Sequence, residues 1–271
     1  LNILENFDLP AIGEGSAGYY HLIAEAIKLA FADRDRWVTD PTFIDIPVER
    51  LLSKEYASQR ASQIDMQRAT PDDQLAPGLD GGDTVYMCAV DDDGQVVSLI
   101  QSVYYEFGSA YMPPGTGILL QNRGSFFSLD PEKANVLAPG KRTFHTIIPA
   151  MALKDGVPVL AFGTMGGEGQ PQSQVAMLTR MVDFGMNPQE AIEAPRWLFG
   201  RTWGQESRTL KLEGRIPDGI ANELSRRGHD VEMMMDWSQT MGHAQAIWIE
   251  RETGVLNGAA DPRGEGMAVG R

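Results

Sequence analysis

The chain has 271 residues, 42% of them hydrophobic, enough to bury a sizeable core as one large domain or two small ones. Its formal charge of -14, with scattered basic residues, repels a phosphate backbone, so nucleic-acid binding is set aside. Cys88 is the only cysteine, which excludes an internal disulfide and a thiolate metal cluster, and no apolar run reaches the ~18 residues of a membrane span.

The chain opens on Leu1 rather than methionine, as a piece of a longer protein would. Its first residues lack the basic flank and apolar core of a secretion signal, and the compartment stays open between cytoplasm and export. Residues 17–36 predict a helix, because Leu22, Ile23, Ala26, Ile27, Ala30 and Phe31 recur at the spacing of one buried face. A second, shorter helical region is expected over 49–66. Residues 68–83, RATPDDQLAPGLDGGD, read as a loop whose length fits a functional loop or linker.

The texture then changes. Residues 84–102 form two apolar segments around Asp91–Asp92–Asp93–Gly94, a hairpin signal. A second hairpin is predicted over 145–163, turning at Lys154–Asp155–Gly156. A glycine-rich loop follows and feeds a helix over about 172–184. Asn187 as N-cap, Pro188 at N1 and Glu190 at N3 mark the next helix start. Residues 217–228 predict another helix stopped by Gly228, and the chain closes on a last hairpin. Strands in adjacent pairs with helices grouped between them imply an α+β fold rather than alternating β-α-β units.

Thr84 is the first chemical candidate. A threonine opening a strand is ordinarily structural, since β-branching favours strands. An N-terminal threonine differs, because its α-amine can take the hydroxyl proton and one residue supplies nucleophile and base. That chemistry requires the 83–84 bond to be cut, and the Gly81–Gly82 approach suits such a cut. The second candidate is Gly166–Gly167–Glu168–Gly169–Gln170, where successive amides before a helix can converge as an oxyanion hole or simply form a tight turn. It matches neither a Walker motif nor a GxGxxG loop, so no nucleotide cofactor is inferred.

The four histidines, at 21, 145, 229 and 243, show no local zinc spacing, and His21 and His229 read as structural. Ser16 and Ser98 lack a Gly-x-Ser-x-Gly elbow. Arg123 sits beside a glycine at the end of an apolar segment, where a guanidinium can grip a carboxylate at two points or lie on the surface. The acidic run at 91–93 is a turn without the remaining spacing of a calcium loop.

Taken together, HLIAEAIKLAFADRDRW, DPTF, DTVYMCAVDDDGQVVSL, GTGILLQN, MGGEG and GAADPR resemble, in order, the gamma-glutamyltranspeptidase family of N-terminal-nucleophile hydrolases. The resemblance implies a four-layer αββα sandwich, self-cleavage into two subunits and a threonine nucleophile at the new N-terminus, here Thr84. Residues 1–83 then correspond to the tail of the larger subunit and 84–271 to the smaller one, with an upstream half as partner. Ser102 matches the helper hydroxyl, and Gly166 and Gly167 match the oxyanion pair.

Departures fall on the substrate side. The small subunit begins Thr84-Val85-Tyr86 where the family has Thr-Thr-His, and Phe126 replaces the aspartate that binds the glutamyl α-amine. His145 and Thr146 stand at the family's paired serines, and Tyr104 and Arg123 join them as expected substrate contacts. The first expectation is therefore gamma-glutamyl transfer or hydrolysis of an amide such as glutathione, without cofactor or metal. The alternatives are a glutaryl- or cephalosporin-type acylase and an uncleaved, inactive relative.

Overall fold

The computed structural model describes residues 1–71, 83–200 and 207–270. Residues 72–82, most of the predicted processing loop, lie outside them. Helices α1 (Leu9–Ile12) and α2 (Ala17–Trp37) come first, then α3 (Val48–Leu51) and α4 (Lys54–Ala61) where one helical region was expected. Two strands follow, β1 (Asp83–Val90) and β2 (Val96–Tyr104), then β3 (Ala150–Lys154) and β4 (Val157–Thr164). Next come α5 (Gly169–Val182), α6 (Pro188–Glu193), β5 (Trp197–Phe199) and β6 (Leu210–Glu213). The chain closes with α7 (Asp218–Arg226), β7 (Val231–Met234), β8 (Ala244–Ile249) and β9 (Leu256–Ala260).

The strands form three sheets: the β1–β2 hairpin, an antiparallel sheet in the order β3-β4-β8-β9, and a small sheet β5-β6-β7. Tyr86 on β1 points into the second sheet, where a Cβ on Gly163 would meet its ring at 2.5 Å. Only glycine lets the hairpin approach β4 so closely. Helices α5 and α6 cover the sheet through Met177, Met181, Ala191 and Ile192, packed with Leu160, Phe162, Ala244 and Ala246. Hairpin, sheet and helices therefore stack in layers, a mixed architecture consistent with the expected αββα sandwich.

A second core surrounds α2. Its first half is buried on every side, including Tyr19, Tyr20, His21, Ala24 and Glu25 beyond the predicted stripe, whereas Ala30 is exposed. The cause is position: α2 is wedged among Trp197, Phe199, Leu210, Leu212 and Leu224, and Tyr19 reaches Thr179 of α5 at 3.1 Å. At α6 the predicted cap forms in full, with Glu190 N donating to Asn187 Oδ1 and Asn187 N to Glu190 Oε2, both at 2.9 Å. Such a cap contributes about 1 kcal/mol.

Three expectations change. Residues 145–149 are not strand: Pro149 has no N–H to pair, and side chains from α5 hold this segment instead. Gln170 Oε1 accepts from Ile148 N at 3.0 Å, and Gln174 Nε2 donates to Ile148 O at 2.6 Å. Helix α5 starts at Gly169, three residues earlier than predicted. Finally, β6 and β7 are parallel with α7 between them, a β-α-β unit that the pairing rule had excluded. Gly228 does follow α7 as predicted, at φ +100°.

Candidate active site

The hairpin register fixes the first pair. Thr84 faces Ser102 directly across β1 and β2. Side chains of paired residues share a face, and the Thr84 hydroxyl donates to Ser102 Oγ at 2.9 Å. A second donor reaches the same oxygen, Arg123 Nη2 at 2.8 Å, and a third is Tyr104 N at 3.0 Å. Tyr104 ends β2 at φ +75°, a left-handed conformation costly for a bulky residue.

Arg123 opens a short 3-10 turn over Arg123–Phe126. Gln121 Oε1 accepts from its backbone N–H, and Asn122 N donates to Val103 O at 3.2 Å, which ties the turn to β2. Arg123 is 1% exposed, and its guanidinium donates through Nη1 to Thr146 Oγ1 at 2.9 Å and lies over the Tyr104 ring at 5.1 Å. The open alternative of a surface arginine is thereby decided against. Burial lowers the pKa of Arg123, while Tyr104 beside it acts in the opposite sense.

Among the described residues no carboxylate pairs with Arg123. Other deeply buried arginines contrast with it: Arg180 meets Glu14 at 2.8 Å, Arg196 meets Asp261 at 2.6 Å, and Arg263 meets Glu213 and Asp261. A buried cation without a counter-charge is costly.

Aromatic rings wall the site. Phe126 packs on Tyr104 with centroids 4.6 Å apart and on Phe144 at 4.9 Å. His145 is exposed, and its pKa is lowered by partial burial and then by the Arg123 charge. Of the expected residues, then, Thr84, Ser102, Tyr104, Arg123, Phe126 and Thr146 form one contiguous cluster, with His145 at its edge.

Gly166 and Gly167 lie in the turn between β4 and α5, at φ +126° and +51°. Their carbonyls accept from Gly169 N and Gln170 N, and their own amides have no acceptor among the described residues. No hydrogen bond joins them to Thr84. The link is structural, because Tyr86, two residues along β1, packs on Gly163 of the strand that leads into this turn. Glu168 within the turn meets Arg34 of α2 at 3.3 Å, and Arg34 also lies over Phe144 at 5.6 Å. Sequence reasoning did not single out Phe144, which borders the second predicted hairpin, or Arg34, which lies inside the predicted first helix.

The structure also joins two histidines that sequence spacing kept apart. His21 Nδ1 and His229 Nε2 are 2.8 Å apart, and Glu25 completes a group whose ligand-type atoms lie within 4.8 Å. His21 Nε2 donates to Asp65 O, so its Nδ1 accepts from His229. Glu25 Oε2 accepts from Thr70 N at 3.0 Å, and Lys28 lies 2.9 Å from Oε1. With each ring committed and an ammonium on the carboxylate, this donor set does not suit a divalent cation.

Comparison with known proteins accords with this geometry. The gamma-glutamyltranspeptidase family pattern matches residues 1–271. The chain belongs to the gamma-glutamyltranspeptidase family. Within that family it is 53% identical over 270 residues to the glutathione hydrolase-like YwrD proenzyme of Bacillus subtilis, covering 100% of this chain and 50% of that protein. It is 50% identical over 250 residues to the oxamate amidohydrolase proenzyme of Klebsiella pneumoniae, covering 92% and 47%. Among solved structures, the cephalosporin acylase from Bacillus halodurans superposes with a TM-score of 0.84 at 42% identity, over 97% of this chain and 46% of that one. The chain thus spans about half the length of these relatives. Membership supports a hydrolytic or acyl-transfer enzyme of the N-terminal-nucleophile class.

Proposed function

We propose that the protein is an amide hydrolase that works through a threonine acyl-enzyme and prefers acyl groups carrying a carboxylate but no α-amine. One observation carries the reading: Arg123, buried and without a carboxylate partner among the described residues, shares Ser102 Oγ with the Thr84 hydroxyl. A nucleophile and an anion-seeking group thus meet at one oxygen.

Cleavage at 83–84 divides the chain into 1–83 and 84–271 and frees the Thr84 amine. That amine takes the hydroxyl proton as Oγ1 attacks the amide carbon. The Gly166 and Gly167 amides stabilise the oxyanion of the tetrahedral intermediate. Its collapse breaks the C–N bond, the leaving amine receives the proton, and an ester remains on Thr84. Water, deprotonated by the same amine, hydrolyses the ester and releases the acid.

Gamma-glutamyl transfer, the first expectation, is supported less well. An α-ammonium beside Arg123 meets a like charge, and Phe126, packed on Tyr104, offers a ring where the family places an acceptor. The cephalosporin acylase and oxamate amidohydrolase names among the relatives fit an acylase reading. The test is a side-by-side assay of gamma-glutamyl and glutaryl anilides on the full-length protein. Faster release from the glutaryl compound is expected. Preference for the gamma-glutamyl compound contradicts the reading, and a Thr84→Ala variant of unchanged activity removes the mechanism.

A further inference from the structure

We propose that Asn135 is a positioning residue for the acyl side of the site, and that Thr39, from the 1–83 part of the chain, holds it in place. The inference rests on the acylase reading above for the part of the substrate that the aromatic wall meets. It concerns a residue that acts through others rather than on the substrate.

Asn135 lies between the Arg123–Phe126 turn and Phe144, and its side-chain amide joins three parts of the chain. Nδ2 donates to Phe126 O at 2.8 Å and to Thr143 Oγ1 at 3.1 Å, while Oδ1 accepts from Thr39 Oγ1 at 3.0 Å. The first bond grips the last carbonyl of the turn that Arg123 opens. The second fixes the residue just before Phe144, in the segment whose Thr146 takes Arg123 Nη1. One amide thereby sets both stretches of backbone that hold Arg123, and with them the Phe126 and Phe144 rings, 4.9 Å apart. Asparagine suits the place because one head group carries two donors and an acceptor. Backbone bonds close the segment around it, Ser128 N to Asn135 O and Leu137 N to Ser128 O, both at 2.9 Å.

The anchor comes from the other side of the 83–84 bond. Thr39 is 7% exposed, so water is poorly placed to replace its hydroxyl once removed. Its neighbour Asp40 accepts from Arg142 N at 2.9 Å through Oδ2 and from Thr42 N at 3.0 Å through Oδ1. Arg34, at the end of α2, lies over the Phe144 ring at 5.6 Å. The DPTF motif, which the nucleophile chemistry does not use, thus joins Thr39 in a clasp on residues 135–142. No residue of the clasp lies within 68–84, so cutting the 83–84 bond leaves it whole. The Thr84–Ser102 pair, by contrast, is placed by the β1–β2 register. Loosening the clasp therefore disturbs the acyl wall before it disturbs the nucleophile.

The experiment uses the full-length, self-processed protein and two p-nitroanilides, the glutaryl half-anilide and the neutral acetyl anilide. Thr39→Val keeps the shape and removes the donor. In that variant KM for the glutaryl compound is expected to rise about tenfold with kcat nearly unchanged, the scale of a loosened supporting shell. Acetyl anilide kinetics should hold, and Thr39→Ser, which restores the hydroxyl, should behave as the unsubstituted protein. Asn135→Ala should show the same split, and it decides if Thr39→Val does not mature. Equal losses on both anilides, or a Thr39→Ser variant as impaired as Thr39→Val, assign the network to general folding and overturn the proposal. Unchanged kinetics in both Thr39→Val and Asn135→Ala overturn it too. Hydrogen exchange over residues 126–143 needs no turnover and separates this inference from the reading beneath it. An unsubstituted protein that hydrolyses neither anilide overturns the acylase reading. Faster exchange of that segment in Thr39→Val but not in Thr39→Ser still supports the clasp, and unchanged exchange overturns it.

Discussion

Thr84 and Ser102 are register partners on adjacent strands, with their hydroxyls 2.9 Å apart. In the proposed mechanism, this pairing makes Ser102 the group that orients the nucleophile and feels any cation placed behind it. Replacing Ser102 by Ala is expected to lower kcat by about 10²-fold, the scale of losing a positioned proton-transfer partner. Steady-state kinetics on a half-anilide checks this, and a variant with unaltered kcat contradicts it.

Arg123 supplies the charge behind that pair. Arg123→Gln is expected to reduce kcat/KM for carboxylate-bearing acyl groups by about 10²-fold, the range of a lost charge-assisted contact in a dry site. Neutral anilides should fall far less. An equal fall on both substrate types would assign Arg123 to Ser102 rather than to substrate, and the ratio of the two kcat/KM values measures the difference.

The buried histidine pair makes a prediction about acid stability. Burial, then Lys28 and His21, lower the His229 pKa to about 4, with Arg227 acting in the same sense and Glu25 opposing. Burial lowers the His21 pKa as well, against the Asp65 carbonyl and Glu25. For Glu25, burial disfavours the charge, but the Thr70 and Lys28 contacts prevail and hold its pKa below the usual range. A depressed histidine pKa means that the unfolded chain binds more protons. Stability is therefore full above the unfolded pKa near 6.5 and is lost as pH falls toward about 4. The expected loss is on the order of 3 kcal/mol. Urea midpoints at pH 7 and pH 5 should differ less in His229→Gln than in the unsubstituted protein, and identical pH slopes would contradict the assignment.

The GAADPR motif proves to be structural. Asp261 bonds Arg196 at 2.6 Å and Arg263 at 3.0 Å, with Glu213 against Arg263 on the other side. Burial lowers the Arg196 pKa to about 10, and Asp261 offsets part of that effect. Asp261→Asn leaves a buried guanidinium short of charge and should destabilise by about 3–5 kcal/mol. Chemical unfolding reads this directly, and a loss below about 1 kcal/mol, the scale of an exposed pair, would refute it.

Local rules made much of this molecule legible. The Asn187–Pro188–Glu190 cap, the Asp91–Gly94 turn and the Gly228 stop depend on residues a few positions apart, and all three form as predicted. The β6-α7-β7 unit escaped because its strands are short and partnered far along the chain. The hydroxyl pair was legible only through family resemblance, since a threonine opening a strand is unremarkable alone. Arg123 was identifiable as a residue but not as a buried one. Its burial comes from Tyr104 and Thr146, which no periodicity connects to it. The His21–His229 contact joins residues 208 positions apart, beyond any local spacing rule.

The most direct measurement is the intact mass of the purified full-length protein, before and after a brief reaction with a slow half-amide. The account predicts two species, the smaller beginning at Thr84, and an acyl mass added to that species alone. A single uncut chain that still hydrolyses the amide, or an adduct on any residue other than Thr84, would contradict it.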